Sequence, residues 1–283
     1  MNFKIVADSC CEFLEEWKYD KRFENVALGL EVDGEIIMDD ESFDQKSFLK
    51  KVAECEGCPK SFCPSPEQYR EAFDCDAEYI FVFTLSSILS GSYNAACAGR
   101  SMIMEEIREK NLPKKKIYIC DSKTASGGET QLARYCFELI KEGREYGEIC
   151  VKLNFFANKM RTYFVLNTMD VFKKNGRLTG ARALAVSALN IKPVMAGLNG
   201  DIVPAASGIG QKAALDKMID LLKKDLIEPA KRTIIISQCN AAERANELKD
   251  ALIEKLGVKD VLIMDTRGVS SLYASDGGII VTA

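Results

Sequence analysis

Two serine-rich segments hold the residues best placed for chemistry: Lys60-Ser61-Phe62-Cys63-Pro64-Ser65-Pro66-Glu67 and Leu85-Ser86-Ser87-Ile88-Leu89-Ser90-Gly91-Ser92-Tyr93. Each precedes a stretch with helical periodicity, so each brings hydroxyls and backbone N–H groups to a helix start. The first turn of a helix leaves N–H donors unpaired and carries partial positive charge, a combination that favours an anion. In the first segment, Ser65, Pro66 and Gln68 form a helix-start signature in which Ser65 is expected to cap, which leaves Ser61 on the approach loop to face a ligand. In the second, Ser90-Gly91-Ser92 follows the apolar run Tyr79–Leu85, and strand ends that open onto helices are where open α/β sheets bind ligands. Asp8-Ser9-Cys10-Cys11 and Asp121-Ser122 through Gly128 repeat the theme after two other strand-like runs. Four loops of one chemical character predict one shared crevice.

Other chemistries weigh less. The chain has no histidine, which excludes Ser-His-Asp and Cys-His nucleophiles and imidazole metal ligands. Its 11 cysteines are scattered through predicted helices and strands, as suits small buried hydrophobes in a reducing compartment. Cys55, Cys58 and Cys63 could give three thiolates to zinc or an iron–sulfur cluster, with a fourth ligand needed from elsewhere; a thiolate-metal or redox protein stays open as an alternative. A phosphate- or nucleotide-binding enzyme using the same serine loops is another. Gly208-Ile209-Gly210-Gln211-Lys212-Ala213 mimics a dinucleotide fingerprint but follows a strand containing Pro204, with no βαβ unit around it. Asp39-Asp40-Glu41 and Asp74/Asp76 read as solvated loops.

The elements that position these loops alternate. Strand-like runs fall at Phe3–Ala7, Tyr79–Leu85, Lys116–Cys120, Arg161–Leu166, Ile191–Ala196, Thr233–Ser237, Asp260–Met264 and Gly278–Val281. Helical periodicity covers Phe13–Asp20, Asp44–Glu54, Pro66–Asp74, Ala95–Lys110, Glu129–Glu142, Tyr146–Lys159, Gln211–Lys224 and Ala241–Leu256. The expected fold is α/β in two domains, 1–158 and 159–283: a largely parallel sheet in the first, a mixed sheet in the second, and a ligand between them. Asn199-Gly200 marks a two-residue hairpin and hence antiparallel pairing in the second half. With 283 residues, 47% hydrophobic and 28% charged, the chain suits a globular core, and a net charge of −4 argues against nucleic-acid binding. No secretory signal or membrane-spanning apolar run is read, so a cytoplasmic location is expected.

In this order, the loops resemble the DegV family. The resemblance is carried by Asp8-Ser9, Pro64-Ser65-Pro66, Leu89 to Tyr93, Asp121-Ser122 with Ser126, Tyr163 to Leu166, Asn175-Gly176-Arg177-Leu178 and Leu189 to Pro193, over about residues 3–281. It implies a two-domain protein that holds a long-chain fatty acid and needs no cofactor. It also implies presentation of that acid to the ATP-binding subunit of a fatty acid kinase, by a monomer with no catalytic residues of its own and transient membrane contact at most. By the same resemblance, Ser61, Ser90 and the Gly91 N–H would hold the carboxylate, and Tyr273 stands where the family has His. Asp276 replaces a family Pro, and Ser207 to Lys212 replaces an Arg-rich segment. The Cys55–Cys63 loop is a further departure.

Overall fold

The computed structural model describes residues 1–178 and 190–283. Of the segments singled out above, only Leu189 lies outside the described residues.

The first half is built on a parallel sheet of order β2-β1-β6-β7, formed by β1 (Phe3–Asp8), β2 (Phe23–Val26), β6 (Tyr79–Thr84) and β7 (Lys116–Asp121). Every residue of β1 is buried, as expected of a strand covered on both faces. One face is covered by α2 (Pro66–Phe73) and α3 (Ser92–Glu109), which bury Tyr69, Phe73, Ile103 and Ile107. The other is covered by α4 (Gly127–Lys141) and α5 (Tyr146–Lys159), which bury Leu132, Cys136, Ile149 and Leu153. Cys11, Cys120 and Cys136 sit in this core as small hydrophobes, and all 11 cysteines are free thiols.

The second half carries a mixed sheet of order β10-β9-β8-β13-β11-β12, from β8 (Thr162–Val165), β9 (Ile191–Leu198), β10 (Asp201–Ile209), β11 (Thr233–Gln238), β12 (Asp260–Asp265) and β13 (Ile279–Thr282). Only β11 and β12 pair in parallel. Asn199 and Gly200, at φ 53° and 89°, turn β9 into β10, the conformation a two-residue hairpin needs. A short helix, α6 (Asp170–Lys174), follows β8, and helices α7 (Gly210–Asp225) and α8 (Ala242–Leu256) close the core over Ile234, Ile236 and Val281. Gly208-Ile209-Gly210 joins the hairpin strand β10 to a helix, and the strand after that helix, β11, runs parallel to β10 in the same sheet without pairing with it.

A third sheet, absent from the sequence reading, joins the halves. It is antiparallel, of order β4-β3-β5, from β3 (Gly29–Val32), β4 (Glu35–Met38) and β5 (Lys60–Phe62). With α1 (Gln45–Glu54) it encloses α9 (Gly268–Ala274), so Leu28, Leu30, Phe48, Val269 and Leu272 share one apolar cluster. These strands are three or four residues long, too short for periodicity to reveal. The helix expected over Phe13–Asp20 is instead a single 3-10 turn, Glu15–Trp17. Trp17 stacks on Phe23 at 4.6 Å, and the chain must turn there to enter β2. Among the described residues no helix is long and apolar enough to cross a membrane.

Candidate functional site

A cavity of about 300 Å³ lies where the three sheets meet. Ser61, Ser90, Gly91, Tyr273 and Arg177 line one part of it; Leu85, Phe164, Leu166, Phe172, Ile202 and Ile280 make its wall largely apolar. All four residues singled out from sequence as ligand contacts thus border a single space.

Each is placed by a separate device. Ser61 lies on β5, paired opposite Leu30 of β3, and not on a loop. Its neighbour Phe62 lies across Gly29, where a Cβ would come within 1.9 Å of the ring, so only glycine permits this approach. Gly91 is the N-cap of the 18-residue α3 and offers no side-chain cap to the first turn. Ser90 Oγ accepts from Ser92 N at 3.2 Å, which leaves its proton for another acceptor. Tyr273 comes from α9, whose first two N–H groups, Gly268 and Val269, donate to the buried Asp39 carboxylate at 2.8 and 3.0 Å. Asp39, read from sequence as solvated, is fully buried and pairs with Arg267 at 3.6 Å. Burial raises its pKa, opposed by Arg267 and the two N–H donors. The Tyr273 hydroxyl then meets Ser61 Oγ at 3.1 Å.

Beneath the cavity lies a buried carboxyl cluster. Asp8 accepts from Cys10 N at 3.1 Å, Leu85 N at 2.9 Å and Ser92 Oγ at 2.5 Å, and Ser92 Oγ lies 2.6 Å from Tyr69 OH. Ser126 Oγ lies 2.9 Å from both oxygens of Glu12. Burial lifts Asp8 to about 6 and Glu12 to about 7, and pushes Glu129 well above the usual carboxylate range, helped by the adjacent Asp8. Asp8, Cys10 and Glu129 bring ligand-type atoms within 4.8 Å of one another. Burial and the adjacent Asp8 thus hold Glu129 toward its neutral form.

The loop hydroxyls divide by task. Ser65 caps α2 in a reciprocal capping box with Gln68, as expected. Ser9 accepts from Leu28 N, and Ser122 bonds within its own turn at Thr124. Cys55 donates to Asp33 and Cys58 to the Pro59 carbonyl, while Cys63 borders the cavity; the three thiols are not gathered at ligand distance. Sequence reasoning missed Arg177, Phe172 and Thr162, which line the cavity; Lys123 and Thr124, which also line it, come from the Asp121–Gly128 loop expected to share the crevice. Arg177 Nε lies 3.4 Å from the Leu89 carbonyl, beside Ser90. The only sequence signal for it was the Asn175-Gly176-Arg177 turn.

A two-lobed α/β protein with an apolar interlobe cavity rimmed by hydroxyls is thus the class defined by fold and site. A family model described as "Uncharacterised protein, DegV family" matches residues 2–282, and the chain belongs to the DegV family. A DegV domain-containing protein of Streptococcus gordonii is 32% identical over 99% of this chain and 98% of its own. A DegV protein of Ruminococcus gnavus, crystallised with vaccenic acid, superposes at a TM-score of 0.94 with 41% identity over all of both chains. The Fatty Acid Kinase B3 protein of Streptococcus pneumoniae, loaded with linoleic acid, gives 0.90 and 29%, covering 100% of this chain and 99% of that one. A DegV protein of Eubacterium eligens, loaded with heptadecanoic acid, gives 0.89 and 28%, covering 99% of each.

Proposed function

We propose that this chain binds a long-chain fatty acid in the interlobe cavity, with the carboxylate held by Ser61, Ser90, the Gly91 N–H and Tyr273. The observation that carries this reading is the pairing of an apolar cavity with hydroxyls from three separate elements at one side of it. Arg177 supplies positive charge at the same side. The fatty acids bound by the similar structures support the ligand class. In this reading residues 1–158 and 159–283 are the two lobes.

The energetics favour a carrier. Burying a 16-carbon chain gains about 0.8 kcal/mol per methylene, roughly 10–12 kcal/mol gross. Hydrogen bonds to the charged head add about 1.5–3 kcal/mol each before desolvation. The tail dominates affinity, and the hydroxyls select and orient the head. Such a site needs no catalytic base and no cofactor. Any phosphorylation would be performed by a separate ATP-binding kinase subunit: the presented carboxylate oxygen attacks the γ-phosphorus and ADP leaves. Tyr273 can donate a hydrogen bond to either carboxylate or acyl phosphate but adds no positive charge, unlike the family histidine. The same reading makes the chain a cytoplasmic monomer that meets membranes only transiently.

Mass spectrometry of an organic extract of the purified protein is expected to find stoichiometric fatty acid. Ser90→Ala is expected to fold normally and to weaken fatty-acid binding roughly ten- to hundredfold. Unchanged retention in this variant would remove Ser90 from the site.

A further inference from the structure

The carboxyl cluster beneath the cavity has no positive charge to balance it. Asp8, Glu12 and Glu129 are each at most 2% exposed. Among the described residues no Lys or Arg pairs with any of the three. A carboxylate buried without a partner is costly, so each such group needs donors, a proton or a cation. Asp8 and Glu12 have donors: Asp8 accepts from Cys10 N, Leu85 N and Ser92 Oγ, and Glu12 from the hydroxyls of Ser126 and Ser237. Glu129 differs. Both of its carboxyl oxygens are buried without a hydrogen-bond partner.

Those orphan oxygens point into a set of metal-ligand atoms. A carboxylate oxygen of Glu129, one of Asp8 and the Cys10 sulfur all lie within 4.8 Å of one another. Asp8 ends β1, Cys10 lies just beyond it, and Glu129 sits in the first turn of α4. A tetrahedral zinc ion, with Zn–O about 2.0 Å and Zn–S about 2.3 Å, would draw such atoms to about 3.3–3.5 Å apart. The Glu129 carboxyl, which no hydrogen bond holds, is free to make that adjustment, while Asp8 and Cys10 are already fixed by backbone N–H groups. A thiolate among the donors favours zinc over magnesium or calcium, which take oxygen ligands. Cys10 also lines the cavity, with Ser126 and Ser270, so an ion can enter without crossing packed core.

We infer that Asp8, Cys10 and Glu129 form a binding site for a zinc ion, with water completing the coordination. The ion takes the place of protons: Cys10 binds as thiolate and Glu129 as carboxylate, and the protons they hold in metal-free protein pass to solvent. It ties the end of β1 to the start of α4 two hydrogen bonds away from Ser90, because Asp8 accepts from Ser92 Oγ and Ser92 N donates to Ser90 Oγ. The site lies outside the fatty-acid reading and stands or falls independently of it.

The test is calorimetric titration of zinc chloride into chelator-treated, desalted full-length protein, with the cobalt(II) absorption spectrum as a second readout. Wild type is expected to bind one zinc per chain tightly and to show a cobalt–thiolate charge-transfer band. Because Cys55 and Cys58 are alternative thiolate ligands, Cys55→Ser/Cys58→Ser is the control, expected to keep both the tight site and the band. Glu129→Gln keeps the shape and removes the charge; Cys10→Ser removes the thiolate. Each is expected to weaken zinc binding about a hundredfold or more, and Cys10→Ser to abolish the band, with circular dichroism like that of wild type. Absence of tight zinc binding by wild type, unchanged affinity in Glu129→Gln, a cobalt band that survives Cys10→Ser, or a band lost in the control overturns the inference.

Discussion

Ser61 and Ser90 border the cavity, Ser61 bonded to the Tyr273 hydroxyl and Ser90 accepting from Ser92 N, and both keep capacity for a ligand. Ser9, Ser65, Ser92 and Ser126 all bond to a nearby N–H group or carboxyl, which locks the loops in place. The carboxyl groups below those loops carry a pH signature. Burial raises Asp8 from 3.8 to about 6 and Glu12 from 4.5 to about 7, so the folded chain holds protons that the unfolded chain releases in that window. The contribution of these two groups to stability is full below the ordinary carboxylate range and is lost as pH rises to about 7. Thermal melts across that range should show the fall, and Glu12→Gln should flatten it; a melting temperature that rises from pH 4.5 to 7 would contradict the neutral-acid description of the cluster. From sequence the serine loops were legible as anion binders, but which hydroxyls stay uncommitted depends on partners such as Leu28 N and Glu12.

The short elements do the positioning. β5 carries Ser61 on only three residues, and Phe62 over Gly29 holds it in register. Gly29→Val should expel that ring, cost about 1–3 kcal/mol by overpacking and weaken fatty-acid binding more than its loss of stability explains. Binding that survives the substitution would mean Ser61 is not held by this contact. Asp39 anchors α9 and therefore Tyr273. Asp39→Ala strips α9 of its N-terminal acceptors and takes away the buried carboxylate facing Arg267, which keeps only Asn25 Oδ1 and the Asp39 and Asp40 carbonyls, with an expected cost of about 3–5 kcal/mol in chemical denaturation. A cost below about 1 kcal/mol would show the clasp to be a surface contact. The long strands and helices were readable because their periodicity runs over six or more residues. The third sheet was not, since three- and four-residue strands are defined by their partners.

At the scale of the molecule, the lobes meet through both the third sheet and α4, whose Gly127 N donates to Ser237 Oγ of β11 at 3.2 Å. Ligand held between such lobes stabilises the folded state by mass action, about 2.7 kcal/mol at a hundredfold excess over Kd. A long-chain fatty acid should therefore raise the melting temperature of delipidated protein while ATP and inorganic phosphate do not. Stabilisation by nucleotide alone would favour the enzyme alternative.

By itself the sequence determined the α/β class, the hairpin at Asn199-Gly200, the cap at Ser65 and the family, because these rest on local periodicity, turn chemistry and ordered short motifs. Only the tertiary structure decided that Asp39 is a buried clasp, that Arg177 and Thr162 face the same cavity as Ser90, and that an empty space exists at all. Apolar residues lining a void and apolar residues filling a core have the same spacing along a strand; the difference lies in what stands opposite them.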